Sequence, residues 1–296
     1  MRGGGFTGKI LDNIANTAGS GAGFRPLISD RFPGRNIFRN NAVGLNFEHV
    51  LNGVAADRAI NRFTPRTDRC VLYQHSERSV SVVHKAVDST WDIESEMRYT
   101  LAGEDAIDLE FSVVTGENRY QMGYVAFMWA SYLSGARDRC IYFPGECDGR
   151  EGWVAFGESR GESVETGTVA AVGVPPLRFE DGADTLNVIE SRRKIFSLPV
   201  YYGLLDGDGD PATVEDTMAY IMMFDQAENI RFAMWDFTRG EDGKTDPHCP
   251  AWDWQYVIRA PVMGATYSYR ARLVYKPFID RDDVMEEYKR WRGRDS

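Results

Sequence analysis

Over long stretches of the chain, apolar and polar residues alternate one for one. Ile107, Leu109, Phe111 and Val113 are interleaved with Asp108, Glu110 and Ser112. Tyr267, Tyr269, Ala271, Leu273 and Tyr275 are interleaved with Ser268, Arg270 and Arg272 in the same way. A period of two belongs to a strand with one buried face. Less regular strand signals lie at 70–75, 80–86, 94–101, 123–132, 153–157, 186–190, 200–205, 218–224, 230–235 and 253–259. Glycine, proline, asparagine and aspartate fill the gaps, as at 103–105, 144–146 and 240–243, and these residues favour turns. At least ten strands with no long helix between them predict an all-β chain folded as a large antiparallel β-sandwich or barrel.

Helical spacing is clearest at the far end. Val284, Tyr288 and Trp291 form one apolar stripe over 280–292. Asp280 can cap that helix, Asp282 and Asp283 suit its positive end, and Arg290 and Arg292 its negative end. The first 41 residues are punctuated by Gly3, Gly4, Gly5, Gly19, Gly21 and Gly23, and glycine is costly to order. They are expected to form a loose arm packed on the main body or on a partner subunit. A short helix is expected over 7–16, where Ile10, Leu11 and Ile14 share a face, and a second over 46–57. The expected organisation is therefore a glycine-rich arm (1–41), one β domain (42–279) and a C-terminal helix (280–296).

Charge narrows the partners. Across 296 residues, 34 Lys and Arg face 44 Asp and Glu, a net charge of −10. An acidic surface is a poor match for nucleic acid or for an anionic membrane. The longest nearly unbroken apolar run, 123–133, is too short to span a bilayer as a helix. The start of the chain lacks the basic-then-apolar pattern of a secretory leader. The four cysteines, Cys70, Cys140, Cys147 and Cys249, include no CxxC pair. They read as reduced thiols in a cytoplasmic protein.

Candidate chemistry is sparse. The run Asp206-Gly207-Asp208-Gly209-Asp210 could hold a hard cation or sugar hydroxyls, or be a solvated turn. An EF-hand is excluded, because Pro211 replaces the required glycine and Thr217 the bidentate glutamate. In Trp252-Asp253-Trp254-Gln255-Tyr256, strand alternation places Asp253 and Gln255 on one face and the aromatic rings on the other. A carboxylate beside a carboxamide with rings nearby suits a sugar, and rings at this spacing also suit a core. Of His49, His75, His84 and His248, none has a partner at zinc-binding spacing. Glu48 and His49 are adjacent, and neighbours do not share a face on a regular strand. Arg58, Arg62, Arg66 and Arg69 would form a cationic stripe on a helix. Phosphate-binding and nucleophile-elbow motifs are missing, so no cofactor and no metal are expected.

The segments 252–255 and 260–267, with the alternating strand to Tyr275, resemble the end of galactose mutarotase-like (aldose 1-epimerase) β-supersandwich domains. Asp253 and Gln255 stand where that family has a catalytic Glu and a Gln. Asn61-Arg62 is similar to its Asn-Arg pair. Trp129 stands where a strand His would be expected, and Asp206 near a substrate-binding Asp. The resemblance implies a sugar, sugar acid or oligosaccharide on the concave face of a large sheet, with epimerisation at the anomeric carbon. Asp253 would be the base and His49 or His248 the acid. Arg62 and Gln255 would orient hydroxyls, Trp129 and Trp254 would offer rings, and Asp206 would bind substrate. Three other readings remain. The missing His favours a non-catalytic carbohydrate-binding module. Tyr201 or Tyr202 with an Arg would suit a polymer lyase. The arm and C-terminal helix would suit a structural homo-oligomer.

Overall fold

The computed structural model describes residues 1–13, 21–60, 63–116, 119–160, 163–183, 189–209, 213–236 and 248–293. In chain order, β1 (Arg2–Gly3), β2 (Phe6–Leu11), β3 (Gly23–Ser29) and β4 (Asn46–Leu51) precede α1 (Ala55–Ile60) and α2 (Thr64–Thr67). Strands β5 (Cys70–Ser76), β6 (Ser79–His84), β7 (Glu94–Ala102), β8 (Ala106–Val114) and β9 (Tyr124–Ala130) follow. Then come β10 (Ile141–Cys147), β11 (Arg150–Phe156), β12 (Ser159–Arg160), β13 (Ser163–Val164) and β14 (Gly167–Ala170). The remainder are β15 (Lys194–Phe196), β16 (Val200–Asp206), β17 (Thr217–Phe224), β18 (Ile230–Trp235), β19 (Ala251–Arg259), β20 (Thr266–Pro277) and α3 (Arg281–Arg292).

A ten-stranded antiparallel sheet runs β11-β10-β16-β17-β20-β8-β7-β6-β5, with β15 also paired to β10. A five-stranded sheet runs β14-β18-β19-β9-β4. The alternation read from the sequence sets the register. Leu109 lies between Tyr99 and Ala271, and Phe111 between Met97 and Tyr269. These side chains meet Phe47, Phe127, Trp129, Phe232, Trp252 and Trp254 of the smaller sheet in one apolar core. The fold is thus an all-β antiparallel sandwich, as the period of two predicts.

Part of the other face of the larger sheet, on β16, β17 and β20, is also buried. Val200, Tyr202, Ala219, Ile221, Met223 and Val274 pack against Val284, Tyr288 and Trp291 of α3. Burial on both faces explains the continuous apolar runs of β16 and β17. Asp280 caps α3 as expected, its carboxylate accepting from the Asp283 N–H at 2.8 Å.

Two helix expectations are corrected. Residues 6–11 form β2, because Phe6, Gly8 and Ile10 turn inward while Thr7 and Lys9 turn out. Gly8 is needed there, since a Cβ would sit 2.9 Å from the Phe24 ring. Phe6, Ile10, Phe24 and Leu27 join the main core, so this part of the glycine-rich segment packs on the main body. Residues 46–51 form β4, and every one of them is buried. The helix starts only at Ala55, after Asn52 Oδ1 accepts from the Val54 N–H at 3.0 Å. Of the arginine stripe, Arg66 lies on α2, Arg69 lies beyond its end at Thr67, and Arg62 lies outside the described residues. Strands β3, β10, β14 and β15 carry no signal in the alternation, and most of 186–190 lies outside the described residues.

Candidate functional site

Alternation along β19 sends Trp252, Trp254, Tyr256 and Ile258 into the core, which turns Asp253, Gln255 and Val257 to the far face. Cross-strand register then aligns one row of that face: Arg231 opposite Gln255, Gln255 opposite Met128, and Met128 opposite His49. Arg231 is 1% exposed, and both terminal nitrogens of its guanidinium are partnered. Nη1 donates to Gln255 Oε1 at 3.0 Å, and Nη2 donates to Thr168 Oγ1 and Glu190 Oε2, both at 2.5 Å. The clamp ties β14, β18 and β19 to the segment carrying Glu190. Burial lowers the Arg231 pKa, while Glu190 opposes that shift. Neither Arg231 nor Glu190 stands out in the sequence.

Asp253 lies on the same face, opposite Ala233. It is 1% exposed, and Oδ1 accepts from the Ser131 N–H at 2.8 Å. Burial pushes its pKa well above the ordinary carboxylate range, the Ser131 bond opposes the shift, and nearby Glu48 adds to it. The folded state then holds a proton that the unfolded chain releases above about pH 4. Stability contributed by the protonated group is complete below that pH and is lost as pH rises through the folded pKa. Asp253→Asn keeps the acceptor for Ser131 and removes the titration. The variant is expected to gain stability over the wild type progressively as pH rises above about 4 in urea unfolding. An advantage that does not grow with pH would show Asp253 to be ionised in place.

An open cleft lies beside this face at the edge of the sheet. The irregular register between Phe47 and His49 on β4 places Glu48 in a bulge. Glu48 Oε1 accepts from Arg66 Nη1 of α2 at 2.5 Å, and His49 Nε2 lies 3.8 Å from Glu48 Oε2. The bulge therefore undoes the expectation that these neighbours are kept apart. Burial raises the Glu48 pKa, and Arg66 acts against it. Glu48 and Arg66 line a cleft of about 170 Å³ together with Arg39, Asn46, Ala130 and Tyr132. Asn46 is 4% exposed, and its Oδ1 has no hydrogen-bond partner. A buried acceptor left unpaired costs about 1–3 kcal/mol, and such an atom calls for an explanation. The Tyr132 phenol is pushed up first by burial, then by Glu48 and Asp253. Sequence reading missed Glu48, Asn46 and Arg39; the one available hint was a glutamate next to a histidine.

Other expected site residues are placed elsewhere. Trp129 and Trp254 are 0% exposed and stacked on each other, 5.5 Å apart and 4° from parallel. Trp129 also stacks on Phe47 at 5.0 Å. Both rings fill the core and present no face to a ligand, which corrects their assignment to a sugar. Gln255 is 0% exposed with Oε1 engaged by Arg231, so it serves the clamp and not a hydroxyl. His248 Nδ1 donates to Ala136 O at 2.6 Å, and the ring belongs to the electrostatic surroundings of Asp206. Asp206 is ion-paired with Arg137 at 2.8 Å and is 3% exposed. Asp253 has no hydrogen bond or ion pair with His248, which corrects the pairing of His248 with Asp253. The His49 ring packs on Phe63, centroids 4.5 Å apart. Arg62 and Asn61 lie outside the described residues. Of the acidic run, Asp208 donates its N–H to Asp216 Oδ2 at 2.6 Å, and Asp210 is outside the described residues. Among the described residues no three potential metal ligands come together.

No family model and no curated protein sequence matches the chain. Solved structures similar in overall fold include a galactose mutarotase-like protein from Lactobacillus casei, at 10% identity and TM-score 0.48, covering 93% of this chain and 98% of that one. A galactose 1-epimerase from Lactobacillus acidophilus is similar at 9% identity and TM-score 0.48, covering 94% and 93%. A 4-alpha-glucanotransferase from Thermococcus litoralis is similar at 10% identity and TM-score 0.43, covering 91% of this chain and 39% of that one.

Proposed function

We propose that this chain binds a single sugar residue in the cleft between Asn46, Glu48, Arg66 and Tyr132. The observation that carries the reading is the fixed Glu48–Arg66 pair lining an open cleft beside the Tyr132 phenol. Glu48 accepts hydroxyl protons, and Arg66 and Tyr132 donate. A cleft of about 170 Å³ is smaller than the roughly 300 Å³ or more of drug-sized sites. Its scale therefore suits one ring better than a polymer.

The nearness of His49 to Glu48 favours a second reading, exchange of anomers in the same cleft. Glu48 would take the proton of the anomeric hydroxyl while the bond from the anomeric carbon to the ring oxygen breaks. His49, 3.8 Å from Glu48, would give a proton to the ring oxygen. Rotation and reclosure would return both protons. The geometry asks for both a base and an acid near the ring, and ligand binding alone needs neither.

Proton NMR of the protein with pooled aldoses and uronic acids separates the two. Saturation transfer without faster exchange of anomers is the expected result for binding alone. Transfer with faster exchange would make the chain an epimerase. Silence in both, from folded protein, would overturn the sugar reading.

A further inference from the structure

We propose that the sugar taken by this cleft carries an acid group, carboxylate or phosphate, and that Arg39 recognises it. The inference rests on the sugar-binding reading above and adds a charge requirement to it. Two guanidinium groups line the cleft. Arg66 is neutralised by Glu48 at 2.5 Å. Arg39 makes no ion pair and no side-chain hydrogen bond among the described residues. Its place is nonetheless fixed by the main chain. The Arg39 N–H donates to Tyr132 O at 2.9 Å, and Arg39 O accepts from the Ala42 N–H at 2.9 Å. The guanidinium is close enough to the Tyr132 phenol to counter part of the effect of burial on it.

With Glu48 and Arg66 cancelling, the described lining of the cleft keeps one positive charge on a chain whose net charge is −10. A neutral sugar makes no use of that charge. The global field repels an anion, so binding one requires a local cation. A planar guanidinium also matches carboxylate or phosphate oxygens in a two-pronged geometry. Glu48 and Tyr132 meanwhile line the same cleft and offer hydrogen bonds to hydroxyl groups. The ligand that satisfies both has hydroxyl groups and an anionic group on one small frame, as in a hexuronate or a hexose phosphate.

Calorimetric titration at low salt tests this with glucose, galactose, glucuronate, galacturonate and glucose 6-phosphate. The wild type is expected to bind at least one acidic sugar about tenfold or more tightly than its neutral parent, the scale of one charge-assisted hydrogen bond. Arg39→Gln is expected to bring the two within about twofold, and Arg39→Lys to keep most of the preference. A preference for uronates identifies a carboxylate, and one for glucose 6-phosphate a phosphate. Neutral sugars binding as tightly as every acid would overturn the Arg39 assignment and leave the sugar reading standing. A preference that survives in Arg39→Gln, with unchanged thermal unfolding, would also overturn it. No binding of any sugar by folded wild type would overturn both.

Discussion

Replacing Arg231 with Met is expected to lower the unfolding free energy by about 3–5 kcal/mol, the cost of breaking a buried ion pair from one side. Methionine fills much of the same volume, so the loss is electrostatic and not a cavity effect. The Glu190 carboxylate, 16% exposed in its side chain, would lose a guanidinium at 2.5 Å. Gln255 Oε1 and Thr168 Oγ1 would each lose a donor. Urea unfolding measures the change. Adding Glu190→Gln to Arg231→Met should recover part of it, because the two residues share one network and their effects are not additive. A loss below about 1 kcal/mol would show that water or another cation replaces Arg231 without difficulty.

Glu48→Gln is expected to weaken sugar binding about 10- to 100-fold, the range of a hydrogen bond to a charged acceptor. Any exchange of anomers in the cleft should stop. The amide keeps the shape but accepts through one oxygen and takes no proton. Arg66 loses its counter-ion, yet its side chain is 25% exposed and remains hydrated. The fold should therefore survive, and thermal unfolding checks that separately from binding. Unchanged affinity in the folded variant would place the ligand away from this cleft.

The frame of the molecule was legible wherever a strand has one wet face. Leu109 and Leu273 announce their strands because Asp108 and Arg272 alternate with them, and these two pair across the strands at 2.6 Å. The end helix was legible through Asp280 and its apolar stripe. Strand β4 was not, because both of its faces are covered and Asn46 to Leu51 show no alternation. The site lies on that same strand, so what concealed the strand concealed the site. Asp253 and Gln255 were placed on the correct face by alternation, but burial, which decides what they can touch, is a property of the assembled sheets. Trp129 and Trp254 illustrate the same limit: their spacing fits a ligand platform and a core equally well, and only the opposing sheet decides between them.

The position of β20 has a consequence for how the chain is made. It lies between β17 and β8 in the ten-stranded sheet, yet it is the last strand along the described chain. During synthesis, the block β5 to β8 and the block containing β10, β11, β16 and β17 must wait, each with an open edge, for residues 266–277 to emerge. Such edges can pair with other chains, and contacts between residues far apart in sequence form slowly. The strand that joins the two halves is thus also the step at which a nascent chain is most exposed to mispairing.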